Sequence, residues 1–158
     1  MQHIPTNIKI NLEWTVKKGI GNEAEDFGRS RVHLFLASDK DRWSVPCEAG
    51  STGLVKAELP ETLPEGVYHL ELVWYKNENT IEALRAVQRT RKTCVFAIDS
   101  ALSVQGSKAT LRLETVASTY GYDGLSAYEI AVLRGKTSLS EEEWVERLQI
   151  AIDNALQV

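Results

Sequence analysis

Cysteines, histidines, carboxylates and a basic run are the residues of this chain that could support chemistry, and their spacing limits what each can do. Cys47 and Cys94 are the only two cysteines. A bridge between them would close a long loop and constrain the unfolded chain. The opening MQHIPTNIKINLEWTVKKG, however, has no basic flank leading into an unbroken apolar run and no small-residue cleavage site. No secretory signal is read, so free thiols packed as small hydrophobes are expected. His3, His33 and His69 are scattered, and with two isolated cysteines they give no zinc spacing. No metal site and no cofactor is expected. The carboxylates form no pair at a spacing suited to acid–base work, and no glycine-rich loop joins a strand to a helix. The chain therefore reads as a non-enzyme with no catalytic residue.

Arg85, Arg89, Arg91 and Lys92 form the one basic run. No aromatic residue interleaves with them to stack a base, so the run reads as a solvated strand face. Lys and Arg total 18 against 22 Asp and Glu, a net charge of -4, and the pI is near 5.4. Nucleic acid is not the expected partner. No run approaches the ~18 apolar residues of a membrane span, so direct membrane insertion is not expected either. Among the four tryptophans, Trp14 and Trp74 fall on core-facing positions. Trp43, between Arg42 and Ser44, is the candidate surface aromatic.

The elements that must position these residues begin as strands. Ile8, Ile10, Leu12, Trp14 and Val16 alternate with polar residues, the period of a strand with one wet face. Val32, Leu34 and Leu36 alternate with Arg31, His33 and Phe35, which puts His33 half-exposed on the outer face. Trp43–Cys47 is a short candidate that Pro46 confines to an edge. Leu54–Leu59 follows, then the turn LPETLPEG, then the strong strand Val67–Tyr75 with Tyr68, Leu70, Leu72 and Trp74 inward. Ile81–Thr93 has mixed helix and strand character, and strand is favoured from Ala86 to Ile98 with Cys94, Phe96 and Ile98 inward. The expected fold is mainly β, an antiparallel sandwich over residues 1–99. Residues 100–118 read as a linker that can carry one further strand at Ala109–Val116.

From 119 to 158 the period changes to that of a short helical tail. Ser126 can cap a helix running to Arg134, and Gly135 suits its left-handed end. In TSLSEEEW, Ser140 and Glu143 have the spacing of a capping box. Leu139 and Trp144 have that of a hydrophobic staple, and three glutamates favour the helix dipole. Trp144, Leu148, Ala151, Ile152 and Ala155 make an apolar stripe that a protein surface must cover. The tail-packing and docking residues are thus Tyr128, Leu139, Ser140, Glu143, Trp144, Leu148 and Ile152.

The segment GLSAYEIAVLRGKTSLSEEEWVERL, Gly124 to Leu148, resembles a module recurrent in tail-fibre and baseplate-associated proteins of phages and prophages. Gly124, Ser126, Ala127, Tyr128, Ala131, Gly135, Glu141, Trp144 and Leu148 match its pattern. Ser138 to Ser140 depart from it where the family carries a Gly-Thr pair, as does Val145 where leucine is usual. The N-terminal part is more loosely similar to the immunoglobulin-like leading domain of baseplate upper proteins. The resemblance implies an immunoglobulin-like β-sandwich with a docking tail, acting as a structural component of a phage or prophage tail or baseplate. Its partners would be other tail and baseplate proteins, and by family analogy it would form a homotrimer. Its location would be the virion, or the host bacterial cytoplasm before assembly. The alternative is a carbohydrate- or peptide-binding sandwich of a bacterial surface or periplasmic system, with Trp43 as its platform.

Overall fold

The computed structural model describes residues 1–18, 23–78, 80, 82–83, 87–102, 108–117 and 126–156. Among the described residues the chain is mainly β, with two sheets and two C-terminal helices. Its strands are β1 (Gln2–Ile4), β2 (Lys9–Lys18), β3 (Ser30–Ala37), β4 (Arg42–Val45), β5 (Cys47–Ala49), β6 (Leu54–Leu59), β7 (Gly66–Lys76), β8 (Gln88–Ile98) and β9 (Lys108–Ala117). The helices are α1 (Ala127–Leu133) and α2 (Glu141–Leu156). One sheet has the order β1-β8-β7-β3-β4 and the other β5-β6-β2-β9. The antiparallel expectation needs correction, since β1 runs parallel to β8 and β9 parallel to β2. Strand β9 arises in the stretch read as a linker. It pairs with all of β2, from Lys9–Lys108 to Lys18–Ala117, and Thr115 Oγ1 accepts from the buried Trp14 indole at 2.9 Å.

The alternating positions pack where their period directs them. Ile10, Leu12, Trp14 and Val16 of β2 meet Leu34, Leu36, Leu70, Leu72 and Phe96 of the facing sheet in one core. Pro46 lies between β4 and β5, which belong to different sheets, so the segment read as one strand switches layers there. A residue with no N–H suits a position that serves neither ladder. Gly53 closes the next turn at φ +73°, and a Cβ there would stand 2.5 Å from the Val16 carbonyl oxygen. Its own carbonyl accepts from the Val16 amide at 2.8 Å, so only glycine fits this approach.

Strand β8 carries an irregularity opposite Tyr68–Leu70. There Cys94 adopts φ +52°, and its amide donates to His69 Nδ1 at 2.8 Å. The bulge breaks the alternation, so Cys94 is exposed rather than inward, while Phe96 and Ile98 do face the core. Cys47 is half-buried, and both thiols are free. Burial pushes the Cys47 thiol up to about 11. The strand start favoured at Ala86, with Arg85 of the basic run, lies outside the described residues; strand is present from Gln88.

A second cluster lies on the far face of the first sheet. Phe35, Val73 and Tyr75 are buried there with Ala83 and Val87, under Tyr128, Val132 and Leu133 of α1. Each of the larger apolar side chains among them, such as Phe35, Val73 and Leu133, contributes on the order of 1.5–3 kcal/mol when withdrawn from water. The sandwich is therefore covered on one outer face by a helix. Phe35, read as solvent-facing, is fully buried. His33 is half-buried on this same face, stacked on Tyr75 at 6.1 Å, with its pKa lowered by burial and then by Arg31.

Candidate docking surface

Helix α1 is held over the sheet by one carboxylate with two tasks. Ser126 Oγ accepts from the Glu129 amide at 3.1 Å, and the Ser126 amide donates back to Glu129 Oε1 at 3.0 Å. This reciprocal box closes the N-terminus of α1. The same carboxylate, only 4% exposed, meets two guanidiniums from the sheet beneath. Arg89 of β8 grips it at 2.8 and 3.2 Å, and Arg42 of β4 lies 3.3 Å away. Glu71 of β7 completes the square, 2.7 Å from Arg42 and 3.3 Å from Arg89. The Arg42 guanidinium also sits 4.3 Å over the Phe35 ring, a cation–π contact on an apolar floor.

Two positive and two negative groups thus balance at the seam between helix and sheet. Burial acts to raise the Glu129 carboxyl. The Arg89 hydrogen bond, the Ser126 amide and the two positive charges outweigh it and hold the group below the usual carboxylate range. Arg89 is therefore drawn into a half-buried ionic cluster, which corrects its reading as part of a solvated face. None of the four belongs to the docking residues expected from the sequence. The signal for Glu129 lies in SAYE, where serine precedes glutamate by three positions, the pattern also present at Ser140–Glu143. For Arg42, Glu71 and Arg89 only the sheet register supplies it.

The joint between the helices gathers five of the predicted tail residues. Tyr128 donates its hydroxyl to the Leu139 carbonyl at 2.9 Å, and its ring lies 6.4 Å from Phe35 and 5.8 Å from Trp144. Burial, opposed by Arg42 and aided by nearby carboxylates, pushes the Tyr128 phenol up to about 12. Leu139 is half-buried and Ser140 is buried. Ser140 Oγ accepts from the Glu143 amide at 3.3 Å. Asp41, from the β3–β4 turn, accepts from the Glu142 amide at 3.0 Å. The sandwich itself therefore helps cap α2, through a residue remote in the chain. Trp144 is half-buried against the second cluster.

Leu148 and Ile152 are not gathered into this joint. Helix α2 has no buried residue. Val145, Leu148, Ile152 and Leu156 are 52, 43, 52 and 79% exposed. The first turn is fastened and the rest carries its stripe away uncovered. Trp43, expected at the surface, instead packs half-buried on the inter-sheet core, 6.2 Å from Tyr68. Gly124 of the tail motif lies outside the described residues.

Among the described residues, no cluster of His, Cys, Asp and Glu could hold a metal ion, and no helix is long and apolar enough to cross a membrane. No protein-family model, curated protein or solved structure matches this chain.

Proposed function

We propose that this chain is a non-catalytic structural component of a phage or prophage tail or baseplate, in which a β-sandwich presents a fastened helix to a neighbouring protein. The observation that carries the reading is the division of α2 into a tied first turn and an exposed apolar remainder. A helix held this firmly on a folded body is pre-organised for docking, which lowers the entropy lost on association. The residues that resemble the tail module divide along the same line. Ser126, Tyr128 and Trp144 fasten the helices, and Leu148 stands on the open face.

We further propose that the sandwich is immunoglobulin-like. Support comes from the sheet orders β1-β8-β7-β3-β4 and β5-β6-β2-β9. The Tyr68 hydroxyl also donates to the Pro64 carbonyl at 2.5 Å, at the corner entering β7, in the manner of a tyrosine corner. The test is mass spectrometry of particles purified after prophage induction in the source bacterium. The chain should sediment with tail proteins at fixed stoichiometry. Recovery only in the soluble fraction overturns the proposal.

A further inference from the structure

Charge is distributed unevenly between the sandwich and α2. Glu141, Glu142, Glu143, Glu146 and Asp153 face a single basic residue, Arg147, within this helix, a net charge of -4. The whole chain has 18 basic and 22 acidic residues. Removing the helix leaves 17 of each, so the entire net charge of the protein resides on α2. The β3–β4 turn adds Asp39 and Asp41 beside it, bordering with Lys40 a groove of about 620 Å³ that Glu142, Val145 and Glu146 also line.

At 100° per residue, Trp144, Val145, Leu148, Ala151, Ile152, Ala155 and Leu156 share one side of α2, a stripe roughly 140° wide. Glu142, Glu146 and Asp153 fall together beyond one border of it, while beyond the other Arg147 stands nearest and Glu143 behind it. The exposed surface is thus an apolar strip with an acidic rim along one border.

We propose that this strip docks onto a different polypeptide whose contact surface is apolar at its centre and rimmed by lysine or arginine. The inference rests on the docking role given above to α2 and names the chemistry of its partner. A second copy of the chain is a poor occupant. In a parallel pair with Val145 and Ile152 at a positions and Leu148 and Ala155 at d, the preceding d position is Glu141, which would face its own copy. In an antiparallel pair, the negative end of each helix dipole would lie against the other's three glutamates. Either arrangement also opposes two helices of charge -4. A basic rim turns the same charges into attraction and speeds encounter.

The test is calorimetric titration of the full chain with two synthetic amphipathic peptides of equal length, one of leucine and lysine and one of leucine and glutamate. A third peptide keeps the lysines and replaces the leucines by glutamine. The leucine–lysine peptide should bind, and the other two should not. Leu148→Gln with Ile152→Gln should weaken binding about tenfold. Glu142→Gln with Glu146→Gln should weaken it several-fold, and added salt should weaken it further. All four side chains are exposed, so the variants should keep the parent circular dichroism. Sedimentation equilibrium of the chain alone should give a monomer. Equal binding of the glutamate or glutamine peptide, no binding of the leucine–lysine peptide, or unchanged affinity in the Leu148/Ile152 variant overturns the proposal. Self-association abolished by Ile152→Gln overturns it in favour of a second copy. Presence in phage particles is measured separately, so either idea can fail alone.

Discussion

Replacing Glu129 by glutamine removes one charge while keeping the shape of the side chain and its oxygen for the Ser126 amide. Arg42 and Arg89 would then share only Glu71 within the square, at 2.7 and 3.3 Å. Removing one partner of a fully buried ion pair costs about 3–5 kcal/mol, because the remaining charge is left desolvated. Here the guanidiniums are 19 and 21% exposed, so water screens part of that penalty. About 2 kcal/mol is expected at pH 7, read as a urea midpoint lower by roughly 1 M.

The pH dependence gives a sharper readout. The Glu129 carboxyl is held below its ordinary value in the folded protein. Its contribution is therefore complete above the unfolded value of about 4.3 and is lost as pH falls through the folded one. Urea unfolding followed by tryptophan fluorescence from pH 7 downward should show the parent and Glu129→Gln curves converging below that value. A Glu129→Gln protein within about 0.5 kcal/mol of the parent at pH 7, or one with the same acid dependence, refutes the claim that this carboxylate clamps α1 to the sheet. Replacing all four members by apolar residues of similar volume should cost far less than removing one, because no charge is then stranded.

Trp144→Ala should destabilise by about 2 kcal/mol in the same assay, less than the 3–5 of a fully buried aromatic because the indole is half-buried. Ser140→Ala and Asp41→Ala each remove one acceptor from the first turn of α2. Each should cost about 1 kcal/mol, and together they should lower helicity by circular dichroism. Gly53→Ala should cost more than either, on the order of 2–3 kcal/mol, through its positive φ and the Val16 carbonyl; a wild-type melting curve would contradict that geometry. Under native conditions iodoacetamide should modify exposed Cys94 well before Cys47, whose thiol is pushed up to about 11; equal rates by mass spectrometry would contradict the placement of β5.

Features that depend on near neighbours in the chain were legible from residue order. Alternation over β2 and β7, the turn before Gly66, the caps at Ser126 and Ser140 and the stripe on α2 are all local. In each, the side chains that decide the outcome lie within a few residues of one another. The covering of the first sheet by α1 also left a trace. Leu34-Phe35-Leu36 and Leu72-Val73-Trp74-Tyr75 are unbroken apolar runs, the pattern of strands buried on both faces. Only the fold could decide what crosses between layers. The parallel pairing of β9 with β2, the bulge that turns Cys94 outward and the inward lean of Trp43 depend on strand register. The square of Arg42, Glu71, Arg89 and Glu129 unites four elements, with Arg42 and Glu129 separated by 87 positions. Composition and period carry no record of such a distance. Charge pairs form wherever the backbone brings them together, and that is a property of the assembled sheets.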